Sequence, residues 1–144
     1  VSFKVLGIEH MAIATKEAAP VMALFQKLFS VQQTGEEEVP QQKVLTQFFD
    51  LGGVHFELLQ PTSTDSPISK YLEKRGNGFH HLAVRVDRIE AAIEHFKSEG
   101  IQMIDDKPRT GAGGCLTAFV HPKSFGGLLV ELVERPLVAP SNRP

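Results

Sequence analysis

Two histidines and two glutamates recur at matched places in this 144-residue chain. Gly7 to Thr15 reads GIEHMAIAT and Gly78 to Val86 reads GFHHLAVRV, so a glycine, histidine, apolar, alanine order returns and His10 is answered by His81, 71 positions later. Gly52 to Leu58, GGVHFEL, is echoed by Gly126 to Leu132, GGLLVEL, which pairs Glu57 with Glu131 at an offset of 74. Nearly equal offsets mean one duplicated unit, opening on a histidine-bearing strand and closing on a glutamate-bearing one. Imidazole and carboxylate donors together suit a divalent first-row metal such as cobalt, manganese, zinc or nickel. Two neutral imidazoles and two carboxylates balance its charge and leave about one or two positions of an octahedral shell for water or substrate oxygens.

Each residue has a plainer competing role. A lone strand histidine beside alanines is more often a hydrogen-bonded core residue than a ligand. A carboxylate is different in kind, because it is rarely buried without a partner. Glu57 and Glu131 are each enclosed by apolar neighbours, so they need a cation, a wet cavity, or an exposed strand face. Four matching residue types at matching offsets favour the cation. His55 shares a face with Glu57 and is its substitute. His80 is expected on the packed side, His95 in a helix and His121 beside a loop, all with structural roles. Cys115 reads as a passive thiol. Gly111, Gly113 and Gly114 precede no helix start, so they form a loop and not a dinucleotide fingerprint.

The elements that must carry these residues follow from periodicity. Alternation over Val5 to Ala14 puts Ile8, His10, Ala12 and Ala14 on one strand face. Thr15 is placed to cap a helix whose apolar stripe is Val21, Leu24, Phe25, Leu28 and Phe29. A weak strand over 31–39, a strand over 43–50, a turn at Leu51 to Gly53 and a strand over 54–60 complete the first unit. Ser66 and Pro67 start a linker helix at its cap and first position, and Gly76 ends it. In the second unit, strand 78–86 carries His81, and Asp87 with Glu90 predicts a capping box for a helix with stripe Ile89, Ala92, Ile93 and Phe96. A short strand at 101–104, a loop at 110–114 and strands at 116–121 and 128–134 follow.

The expected architecture is α+β: two tandem βαβββ modules forming a cupped mixed sheet, with helices on the outer face and polar residues inside. A single domain over 1–144 is expected, with module 1 at about 5–61, a linker helix at 62–76, module 2 at about 77–134 and a polar, proline-containing tail at 135–144. The net charge of −2 and pI near 6.3 offer no basic face to a nucleic acid. No apolar run approaches the roughly 18 to 20 residues that cross a bilayer. One cysteine excludes an internal disulfide. A soluble cytoplasmic protein is expected, with an organelle matrix left open because the chain begins at Val1.

The paired His-Φ-Ala strands, the segment SPISKYLEKRGNGFHHLAVRV, the TGAGG loop and above all HPKSFGGLLVEL resemble the methylmalonyl-CoA epimerases of the vicinal oxygen chelate (glyoxalase/bleomycin resistance/dioxygenase) superfamily. The match covers roughly residues 7 to 134. It implies a divalent metal held by His10, Glu57, His81 and Glu131, an acyl-CoA thioester substrate and a homodimer. Some family epimerases place glutamine where Glu57 stands, whereas glyoxalase I typically has glutamate. Some also carry a second catalytic glutamate on the third strand, and aligning QQKVLTQ with that pattern places Thr46 there.

The implied reaction interconverts C2 epimers of methylmalonyl-CoA by proton removal and return, with Glu131 as base and Glu57 as the other sequence-evident acid. Lys123, Ser124 and Arg109, with Lys107, are candidates for the substrate carboxylate or the CoA phosphates. Two alternatives stand beside it: a glyoxalase-type lyase acting on a glutathione-type thiol adduct, and a non-catalytic small-molecule-binding protein of the same fold.

Overall fold

Small residues beside His10 set the inner face of the first strand. In the computed structural model, which describes residues 2–137, β1 runs Val5–Ala14 and buries His10, Ala12 and Ala14 in alternation. There follow α1 (Ala18–Phe29), β2 (Gln33–Val39), β3 (Val44–Leu51), β4 (Val54–Pro61), α2 (Pro67–Arg75), β5 (Gly78–Val86), α3 (Ile89–Ser98), β6 (Arg109–Thr110), β7 (Leu116–Val120) and β8 (Val130–Glu134). This is an α+β fold with a mixed sheet. Most of the tail expected at 135–144 lies outside the described residues. Two compact units divide the chain: Glu9–Leu82, and Val1–Ile8 with Ala83–Pro144.

Within Glu9–Leu82 the strand order is β2-β3-β4-β1. β1 runs parallel to β4, with Ala12 opposite Glu57 and Ala14 opposite Leu59. β3 is antiparallel to both β2 and β4. The β3–β4 hairpin turns on Gly52 (φ 57°) and Gly53 (φ 84°), two consecutive left-handed positions of the kind a tight I′ hairpin requires. Helix α1 packs Ala18 and Met22, with Val21 and Phe25, against Phe49 and Leu58. The spacing i, i+3, i+4, i+7 is helical, but its phase differs from the expected stripe. Leu24, Leu28 and Phe29 are exposed, because the helix turns its Ala18, Val21, Met22 and Phe25 face to the sheet.

Thr15 does not cap α1 either. The cap position is Glu17, which makes no side-chain cap bond, and Gln60 Oε1 on β4 accepts from Ala18 N at 2.8 Å instead. Helix α2 behaves as the sequence predicts: Ser66 Oγ accepts from Ile68 N, and Gly76 N donates to Leu72 O. Its Ile68 and Leu72 join Ala12, Ala14, Val44 and Leu59 in one core cluster. Alternation puts Ala12 and Leu59 on the His10 and Glu57 face, so α2 packs on that face while α1 covers the other.

In the second unit the order is β8-β7-β6, all antiparallel. Helix α3 buries Ile89, Ala92 and Ile93 against Val86, Ala118, Val120, Val130 and Leu132. Val130 and Leu132 thus face α3, which turns Glu131 and Val133 to the opposite side of β8. The predicted capping box does not form. Asp87 Oδ1 instead accepts from Lys4 N at 2.6 Å, the cap position is Arg88, and Glu134 Oε2 of β8 accepts from Ile89 N at 2.9 Å. The strand expected at 101–104 is reduced to a single bridge between Met103 and Val120. The glycine loop includes a 3-10 turn at Ala112–Gly114.

Candidate metal centre and acyl-CoA site

His10 meets both Glu57 and His81 in the Glu9–Leu82 unit. β1 brings His10 and β4 brings Glu57, and their parallel pairing places His10 Nε2 3.6 Å from Glu57 Oε2. Opposite Glu57 stand small Ala12 on β1 and Phe48 on β3, so the carboxylate has room on its β1 side, where His10 lies. From the start of β5, His81 directs Nε2 to within 3.1 Å of His10 Nε2. The two imidazoles meet edge to face, with ring centroids 5.2 Å apart.

This donor set fits a divalent cation. Two imidazole nitrogens each about 2.1 Å from one ion, at right angles about it, lie about 3 Å apart. That is the separation found, and the Glu57 carboxylate stands 3.6 Å from His10. His10 is 9% exposed, so its ring is withdrawn from solvent while keeping its ligating nitrogen next to the other donors.

Glu131 is 7% exposed, on β8 of the other unit. Thr46 is buried on β3, opposite Leu59, and its hydroxyl cannot serve as a carboxylic acid. The residues proposed for the substrate's anionic groups sit in the second unit. Lys123 is exposed in the 3-10 turn Pro122–Ser124. Ser124 Oγ accepts from Gln102 N at 2.9 Å, so this hydroxyl ties down the turn. Arg109 pairs with Asp105 at 3.1 Å. His55, the substitute for Glu57, is instead engaged with Asp50 at 2.9 Å and stacked on Phe48.

Alternation along β5 puts His80 on its packed side. Its Nδ1 lies 2.8 Å from His81 Nδ1, and the Tyr71 ring of α2 meets it edge-on, with centroids 5.1 Å apart. Strict alternation concealed this contact, since neighbouring side chains on a strand normally point apart. The HH dipeptide was the available signal.

Residues 9–119 match the model of the Glyoxalase/Bleomycin resistance protein/Dioxygenase superfamily. The chain belongs to that superfamily. It is 35% identical over 126 residues to the mitochondrial methylmalonyl-CoA epimerase of Homo sapiens, covering 87% of this chain and 72% of the human one. Among solved structures, methylmalonyl-CoA epimerase from Mycobacterium tuberculosis superposes with a TM-score of 0.86 at 28% identity, covering 94% of this chain and 92% of that one. A methylmalonyl-CoA epimerase in complex with methylmalonyl-CoA and NH4+ gives a TM-score of 0.85 at 28% identity, covering 94% and 98%. These relatives are isomerases, and the fold similarity extends over nearly the whole chain. No helix among the described residues is long and apolar enough to cross a membrane.

Proposed function

We propose that this superfamily member is a metal-dependent epimerase that interconverts the C2 epimers of methylmalonyl-CoA. The observation that carries the reading is the facing pair His10 Nε2 and His81 Nε2, with Glu57 beside His10, in a chain related to methylmalonyl-CoA epimerases along most of its length. His10, His81, Glu57 and Glu131 would hold the ion. When bound, a divalent ion supplies Lewis acidity that stabilises negative charge developing between thioester and carboxylate.

The chain's own residues move the proton. Glu131, buried on β8, takes it from C2 as general base, and Glu57, once protonated from water, is the acid that returns one from the other side while Glu131 gives its proton up to solvent. Withdrawal from bulk water strengthens the electrostatic interactions available to both carboxylates. Lys123, exposed on its turn, provides a positive charge for the CoA phosphates, and Arg109 is a second candidate. The proposed enzyme works as a cytoplasmic homodimer.

The test is solvent exchange. Incubated with methylmalonyl-CoA in deuterium oxide, the protein is expected to introduce deuterium at C2 and to equilibrate the two epimers. A chelator should stop both, and cobalt or manganese should restore them. Exchange undiminished in metal-free protein would remove the metal from the reaction. Turnover of methylglyoxal plus a thiol, with none of methylmalonyl-CoA, would replace the epimerase by a glyoxalase-type lyase.

A further inference from the structure

We propose that His80 is a positioning residue that holds His81 in the tautomer needed to bind metal. The inference rests on the ligand role proposed above for His81. An imidazole that binds through Nε2 must keep its lone pair there and carry its proton on Nδ1, and such a ring is held by whatever accepts that proton. For His81 the group in place is His80 Nδ1, at 2.8 Å. The opposite edge of the same ring presents Nε2 to His10 at 3.1 Å. A line of imidazoles therefore runs His80, His81, His10, and the proton positions along it are linked.

With His80 Nδ1 accepting, His81 Nδ1–H donates and His81 Nε2 keeps its lone pair. Before metal binds, His10 Nε2–H can donate to that lone pair; when metal binds, only His10 must transfer its proton to the other ring nitrogen. His80 thus leaves His81 ready and confines the rearrangement to one ring. Its own orientation is set from α2. Tyr71 donates its hydroxyl to Phe79 O, which fixes the phenol ring edge to face with His80, while the Arg75 guanidinium lies over the Tyr71 ring, 5.7 Å from its centroid. The linker helix therefore reaches the metal centre through two aromatic rings.

Nitrogen NMR of 15N-labelled protein without metal reads the tautomers directly. His81 is expected in the Nδ1–H form, with a scalar coupling across the hydrogen bond to His80 Nδ1. His80→Phe is expected to abolish the coupling and raise the Kd for Zn2+ about 10- to 100-fold. In His80→Gln the amide oxygen can accept the same proton, so most of the affinity should return. Wild-type His81 found in the Nε2–H form would overturn the proposal, as would a folded His80→Phe protein with unchanged Zn2+ affinity. If wild-type protein bound no Zn2+, the metal reading would fail by itself, and the His81 tautomer would still decide the role of His80.

Discussion

The Glu57 carboxylate lies 3.6 Å from His10 Nε2, across a parallel strand pair in which Ala12 stands opposite Glu57. Glu57→Gln keeps the shape of the side chain and removes its charge and its acidity. The variant is expected to bind Co2+ more weakly, read from the absorption spectrum of the ion during titration. Its epimerisation rate should fall by about 10²- to 10⁴-fold, the range for losing an acid or base. Full activity with full metal affinity would take Glu57 out of both roles.

Glu131 is assigned the first proton transfer. Glu131→Gln should suppress deuterium entry at C2 by about 10²- to 10⁴-fold while the protein remains folded, because glutamine fills the same buried space. Mass spectrometry of recovered substrate measures this. Unreduced exchange would assign the base elsewhere.

A stability prediction comes from the cap of α1. Gln60 Oε1 accepts from Ala18 N at 2.8 Å, satisfying one of the donors left open at a helix start. Gln60→Ala is expected to cost about 1 kcal/mol, typical of losing a cap, seen as a lower urea midpoint with an unchanged slope. Thr15→Ala should lack this cap-loss effect, since the Thr15 hydroxyl makes no hydrogen bond within the described structure.

Acid sensitivity has an identifiable source at the turn before α2. Hydrogen bonds from Lys43 and Ser63 hold the Asp65 carboxyl down, from its ordinary 3.8 to about 2. A group depressed in the folded state adds stability above its unfolded pKa and loses it as pH falls through the folded one. The wild type should therefore exceed Asp65→Asn in stability near neutrality, with the gap closing between about pH 4 and pH 2. Asp65 is fully exposed, so the gap should be small and should shrink with salt. Parallel urea titrations at several pH values measure it.

The strands were legible because their signal is short-range. A histidine or glutamate alternating with apolar residues identifies β1, β4, β5 and β8 wherever they pack. The helix caps were not legible, because Gln60 and Glu134 reach Ala18 and Ile89 from 42 and 45 positions away. A local motif such as Asp87 with Glu90 loses when a tertiary partner, here the Lys4 N–H, claims the same oxygen. The phase of α1 was hidden by an excess of apolar residues: with Val21, Leu24, Phe25, Leu28 and Phe29 all present, hydrophobicity marks more than one face, and only packing shows that Ala18 and Met22 are buried. At the metal centre the donors stood out by repetition, whereas His80 occurs in one copy only. The equivalent position in the first repeat is Glu9.

The division into Glu9–Leu82 and its complement does not follow the duplication. It falls inside β1, between Ile8 and Glu9, and inside β5, between Leu82 and Ala83, one or two residues from His10 and His81. Severing the polypeptide at the linker, between the repeats, would therefore break a packed unit and strand His80 and His81 on the fragment that lacks His10.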